Sequence, residues 1–137
     1  MHHRKDPVPP QERVLSTLDF ARLKKLGQGR MPAALRELLD DYDLYEPQEM
    51  PADVVTMHSR VVLAHEDSGQ RQQLTLCYPD QTAPAAGQVS VLSPLGAGLL
   101  GRRVGELACW TLPGGEQREA RIAELAFQPE AQGLYTL

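Results

Sequence analysis

The sequence has few aromatic residues and few cysteines, and it lacks any long apolar run. Aromatic side chains make up 5% of the 137 residues, against 42% for apolar residues, so a core must consist mainly of Leu, Val and Ala. The two cysteines, Cys77 and Cys109, each lie in an apolar run, which favours reduced core thiols over a structural disulfide. No run approaches the roughly 18 apolar residues of a membrane span. No apolar segment follows the charged N-terminus, so we expect a cytoplasmic protein without membrane contact.

Strong positive charge and recognisable catalytic motifs are also missing. The formal net charge is -4 and the pI is about 5.5, which argues against direct DNA binding because phosphate affinity comes chiefly from Lys and Arg. No nucleophile–base order and no phosphate-binding loop motif is present. His58 and His65 lie on one predicted strand with side chains on opposite faces, so we do not expect them to share a metal. We therefore expect no enzyme, no cofactor and no metal site.

The pattern predicts a flexible, Pro-rich segment over residues 1–13 and a helical hairpin over residues 14–50. The first helix begins near Ser16 or Thr17 and ends at the glycines of residues 27–29. The second helix follows Pro32, and its apolar stripe repeats at helical spacing. Joined by a short turn, the two helices form a short antiparallel coiled coil. The stripe comprises Leu35, Leu38, Leu39, Tyr42 and Tyr45.

The pattern of residues 51–137 predicts an α+β domain, in which an antiparallel sheet packs against one short helix. The helix is the most clearly marked element, because Ser93 suits its N-cap, Pro94 its first position and Gly101 its end. The small residues Gly96 and Gly98 predict close packing of this helix on the sheet. The predicted strands are 54–64, 71–78, 88–92, 105–112 and 117–127, with the helix over 93–101.

Several runs of the second part resemble the C-terminal domain of bacterial Gre transcript-cleavage factors, whose fold is FKBP-like. The resemblance is closer to a smaller subgroup, the Rnk-type regulators of nucleoside diphosphate kinase. It is specific over roughly 85 residues, from Asp53 to the end, whereas the hairpin matches only in pattern and length. The runs that carry it are Glu49–Arg60, Ser93–Gly101, Arg103–Glu106, Trp110–Gly115 and Phe127–Ala131.

The resemblance implies a partner, RNA polymerase, bound at the rim of its secondary channel. By position in the matching motif, Ser93, Pro94, Leu95 and Gly96 are the expected docking residues. The hairpin tip that would point into the channel carries Lys24, Lys25, Gln28 and Arg30.

The family's cleavage chemistry is not expected here. Gre factors use an acidic tip on a long coiled coil to hold Mg²⁺, a cation that prefers oxygen ligands. No acid lies between Asp19 and Glu37, so the sequence predicts a regulator that competes with Gre factors without stimulating cleavage. Two alternatives remain. One is an action on nucleoside diphosphate kinase, directly or through its expression; the other is a prolyl isomerase or chaperone, as in FKBP folds, which is disfavoured because Trp110 is expected in the core.

Overall fold

A computed structural model describes residues 13–26, 36, 42–81, 83 and 86–135. Of the second predicted helix, Leu35, Leu38 and Leu39 lie outside the described residues, whereas Arg36, Tyr42 and Tyr45 lie within them. Gln28 and Arg30 of the predicted tip also lie outside the described residues. The helices and strands, in chain order, are β1 (Arg13–Ser16), α1 (Thr17–Leu26), β2 (Tyr42–Tyr45), β3 (Arg60–Ala64), β4 (Arg71–Cys77), β5 (Gln88–Ser90), α2 (Pro94–Leu99), β6 (Leu107–Thr111) and β7 (Gln117–Phe127).

The main sheet has five strands in the order β5-β4-β3-β7-β6, and it is mixed rather than antiparallel. The pairs β3–β4, β3–β7 and β6–β7 are antiparallel, whereas β5 pairs parallel to β4, from Thr75↔Gln88 to Cys77↔Ser90. The prediction of a wholly antiparallel sheet is therefore wrong at this edge. The reason is the long connection over residues 78–87, which returns the chain to Thr75, so that it then runs beside the last three residues of β4 in the same direction.

α2 packs closely against the strands at both edges of the sheet, and its two glycines permit this contact. A Cβ on Gly96 would lie 2.0 Å from the Ser90 carbonyl oxygen in β5. A Cβ on Gly98 would lie 2.8 Å from the Cys109 carbonyl oxygen in β6. The helix backbone thus lies where any larger residue would collide with main chain, which confirms the prediction of close helix–sheet packing.

One core cluster joins the main sheet, α2 and the N-terminal elements. Leu15 of β1 and Leu23 of α1 are buried in the same cluster as Leu63, Leu76 and Ile122 of the main sheet. The described parts of residues 14–50 therefore pack on the sheet domain through their apolar side chains.

The first two strands, β1 and β2, consist of residues for which a different structure was predicted. Residues 13–16 form β1 and residues 42–45 form β2, and these two strands pair parallel from Arg13↔Tyr42 to Ser16↔Tyr45. The predictions of helical Tyr42 and Tyr45, and of a flexible Arg13, are therefore wrong. A sequence pattern does not reveal this pairing because its partners lie far apart along the chain, and Tyr also suits a strand. Tyr42 stacks on Phe20 of α1, with ring centroids 5.0 Å apart.

The predicted strand over residues 54–64 begins only at Arg60. His58, with φ of 69°, has a left-handed backbone that cannot continue a strand, and Val54 forms an isolated bridge to Arg103. His58 therefore lies before the start of β3 and His65 after its end, so the prediction that both lie on one strand is wrong. Cys77 is buried, whereas Cys109 is exposed, so the expectation of a core thiol is wrong for Cys109; both thiols are free.

Candidate docking surfaces

The start of α2 is built as its sequence predicts. The Ser93 hydroxyl accepts a hydrogen bond from the Gly96 amide at 3.1 Å and donates one to the Ser90 carbonyl at 2.7 Å. Pro94 occupies the first turn, and Gly101 follows the helix with φ of 82°. Ser93, Pro94 and Leu95 are half-buried, whereas Gly96 is buried against β5. The sequence-predicted docking residues therefore lie together, but only the first three present side chains at the surface.

The far end of α2 is held by β1. One guanidinium nitrogen of Arg13 donates to the carbonyl oxygens of Ala97 and Leu100, at 3.0 and 2.7 Å. These carbonyls lack helical partners, and a cation beside them also complements the helix dipole. The Val14 amide donates to the Gly101 carbonyl at 3.1 Å. The N-terminal strand thus fixes the position of the helix that carries the predicted docking residues.

α1 exposes cations and buries its one acid. Lys24 and Lys25, the two predicted tip residues that the structure describes, are exposed in its last turn, and Arg22 is half-buried. Asp19 is only 3% exposed. The surface of α1 is therefore basic, in a chain whose net charge is negative.

Asp19 joins α1 to the segment before β3. Its backbone amide donates to the Ser16 hydroxyl at 3.0 Å, and its Oδ2 accepts from the Met57 amide at 3.1 Å. Burial raises the pKa of Asp19 to about 6, although the Met57 hydrogen bond opposes this shift. The carboxylate is thus a structural anchor with its acceptor capacity directed inward.

A polar cluster surrounds this anchor. The Thr56 hydroxyl donates to Glu130 Oε1 at 2.8 Å and lies 3.0 Å from the Ser59 hydroxyl, whose oxygen also accepts from the Thr56 amide at 2.9 Å. His58 meets Tyr78 edge to face, with ring centroids 5.6 Å apart. Burial, followed by the Asp19 charge, raises the pKa of Tyr78, so its hydroxyl stays protonated. The cluster connects α1, the 56–59 turn, the end of β4 and the C-terminal segment.

An open groove of about 680 Å³ lies between α1 and the end of β4. Its walls combine apolar surface from Leu26, Pro79 and the Tyr78 ring with charged groups on both sides. The Arg22 and Lys25 side chains come from α1, and Asp80 lies on the opposite rim. A groove with apolar walls and a few charged groups is a typical recognition surface.

The described residues contain no group of three His, Cys, Asp or Glu side chains that could hold a metal ion. His65 instead lies 3.1 Å from the Gln72 side chain in a polar turn. Trp110, which was expected in the core, is half-buried and packs against the core cluster. No described helix is long and apolar enough to cross a bilayer.

Sequence reasoning missed the cluster around Asp19, His58 and Tyr78. The pattern Ser16-Thr17-Leu18-Asp19 has the spacing of a helix-capping pair and places Asp19 in the first turn. Its partner, the Met57 amide, is a backbone group 38 residues away and leaves no signal in side-chain chemistry. Gln128 is similar, because its side-chain amide donates to the Pro51 and Val54 carbonyls at 2.8 and 2.7 Å.

Comparison with known proteins identifies relatives of one kind. Residues 50–127 match the family described as transcription elongation factor, GreA/GreB, C-term. A regulator of nucleoside diphosphate kinase from Escherichia coli is 45% identical over 130 residues, 90% of this chain and 96% of that protein. The transcription elongation factor GreA of Thermotoga maritima is 33% identical over 102 residues, 72% of this chain and 65% of that protein.

The fold agrees with these matches. A solved structure of a prokaryotic transcription elongation factor GreA/GreB from Nitrosomonas europaea superposes with a TM-score of 0.71 at 34% identity. The alignment covers 85% of this chain and 98% of that chain. The α+β class with a mixed sheet and few helices is thus shared.

Proposed function

The chain belongs to the GreA/GreB family of transcription elongation factors, and we propose that it binds RNA polymerase as a non-enzymatic transcription regulator. It docks at the rim of the secondary channel and competes there with Gre factors by mass action. Two features support this proposal: the family match over residues 50–127, and an α1 helix whose single carboxylate is buried in the domain.

The buried carboxylate is the reason to propose binding without transcript cleavage. A second Mg²⁺ at the polymerase active site needs exposed oxygen ligands at the tip of the arm. In α1 the only acid is Asp19, and its Oδ2 accepts from the Met57 amide inside the domain. α1 also has 10 residues, about 15 Å at 1.5 Å per residue, so it is too short to carry groups deep into a channel.

We propose the start of α2 as the main docking surface, through Ser93, Pro94 and Leu95. Leu95 is a poor position for a test because it packs against the core cluster, so a charge there would unfold the domain as well as prevent docking. Pro94 is better, because it is half-buried in the first turn, where an acidic side chain agrees with the helix dipole. Pro94→Glu should leave the thermal midpoint nearly unchanged and weaken polymerase binding about tenfold.

The decisive experiment measures binding to core RNA polymerase in the presence of a Gre factor. Saturable binding that the Gre factor displaces supports a shared site at the channel rim. A backtracked complex supplied with the purified protein should show no acceleration of transcript cleavage. No binding at micromolar concentration, or cleavage at Gre-like rates, would contradict the proposal.

A second candidate function is action on nucleoside diphosphate kinase. It is favoured by one specific observation, the 45% identity to a protein named as a regulator of that kinase. A pull-down with the purified kinase distinguishes direct binding from an effect that passes through transcription. Retention of the kinase without retention of polymerase would move this candidate to first place.

A further inference from the structure

The groove between α1 and the end of β4 combines an exposed cation with exposed apolar surface. Lys25 makes no ion pair with the part of the chain that the structure describes, and Leu26 beside it is 36% exposed. Arg22 lies one turn earlier on the same wall, at the i, i+3 spacing that brings helix side chains together. The groove thus has a basic wall and an apolar surface within reach of one ligand.

The opposite rim restricts which anions can enter. Asp80 lines the groove from the segment just after β4. A nucleic-acid strand carries a charge at every phosphate, so it would bring several negative charges close to this acid. A peptide can place one carboxylate on the α1 wall and an apolar side chain against Leu26 and Pro79.

We propose that this groove binds an acidic segment of a partner protein, in which a carboxylate side chain lies beside an apolar one. The inference rests on the proposed function, because the partner is RNA polymerase, and it adds a second contact surface. This surface shares no residue with Ser93, Pro94 and Leu95. The carboxylate pairs with the exposed Lys25, and the apolar side chain covers Leu26.

The test compares two charge reversals in the full chain. Lys25→Glu changes the groove, and Arg71→Glu makes the same change in charge at an exposed position at the far end of β4 from Tyr78. Lys25→Glu should weaken polymerase binding about tenfold, with the loss shrinking at high salt, whereas Arg71→Glu should change it less than about twofold. Leu26→Ser tests the apolar contact and should also weaken binding. Melting curves verify that all three variants fold.

The outcomes distinguish failure of the groove proposal from failure of the proposed function. Equal polymerase binding by Lys25→Glu and Arg71→Glu would overturn the groove proposal, although polymerase binding by the unmodified chain would still support the proposed function. If the unmodified chain does not bind polymerase, the proposed function fails. A labelled peptide of alternating glutamate and leucine then tests the groove alone.

In that second arm, saturable peptide binding that Lys25→Glu weakens supports the groove, and absence of binding overturns it. Displacement of the peptide by a single-stranded RNA oligonucleotide, lost in Lys25→Glu, would assign the groove to nucleic acid instead. Amide chemical-shift changes at His58 and Tyr78 on peptide addition would locate the ligand in the groove.

Discussion

Replacing Asp19 by Asn should stabilise this protein at neutral pH, although it removes a buried charged residue that accepts a hydrogen bond. Burial raises the pKa of Asp19 from 3.8 to about 6. Between about pH 4 and pH 6 the folded protein therefore retains a proton that the unfolded chain has lost. The contribution of Asp19 to stability is fully present below pH 4 and is lost as the pH rises through 6. At pH 7 the loss amounts to about 3 kcal/mol, from 1.36 kcal/mol per pKa unit.

The asparagine oxygen can still accept from the Met57 amide, while its new NH₂ group costs about 1 kcal/mol if it is buried without a partner. We therefore expect Asp19→Asn to raise the free energy of unfolding by about 1–2 kcal/mol at pH 7. Urea unfolding of both proteins from pH 4 to pH 8 is the assay. The advantage of the variant should disappear as the pH falls toward 4. A variant that is less stable at every pH, by a constant amount, would refute the reasoning.

Three further substitutions, with Gly114→Ala as a control, test the packing of α2 and of the C-terminal segment. Gly96→Ala should lower the free energy of unfolding by at least about 3 kcal/mol, because its Cβ would lie 2.0 Å from the Ser90 carbonyl oxygen. At Gly114 an added Cβ would have nothing within 4 Å, so Gly114→Ala should be neutral within about 0.5 kcal/mol; thermal unfolding measures both variants. Arg13→Met should cost about 2 kcal/mol, because the Ala97 and Leu100 carbonyls lose a charged donor; an unchanged urea midpoint would contradict this. Gln128→Leu should cost about 2 kcal/mol by chemical denaturation, because the Pro51 and Val54 carbonyls lose their side-chain donor; a neutral result would mean that water replaces the amide.

Elements whose signals are local could be predicted from the sequence. α2 is the clearest case, because its cap, its first-turn proline and its terminating glycine all lie within nine residues, Ser93–Gly101, and the structure places each as expected. β7 over Gln117–Phe127 also has its predicted bounds, because a Pro-Gly-Gly turn precedes it.

Features that depend on partners far along the chain could not be predicted. The parallel pairing of β1 with β2 turned Tyr42 and Tyr45 from a helical stripe into a strand, because that pattern fits both structures until the partner is known. The exposure of Cys109 depends on which face of β6 meets the core. The Asp19 site was missed because its carboxylate accepts a hydrogen bond from the Met57 backbone amide, and a backbone group has no signature in the sequence.

The position of Asp19 links the stability of this fold to its proposed function. A carboxylate on α1 can either face solvent, where it could take part in binding a metal ion, or face the domain, where it anchors the helix. Here it faces the domain, and burial makes its charged form costly to keep. What α1 presents outward is the basic wall of Arg22 and Lys25 beside Leu26. Such a helix has the chemistry to hold an acidic partner and lacks exposed ligands for Mg²⁺, so we infer an arm that acts by occupying a site on the polymerase rather than by supplying catalytic groups.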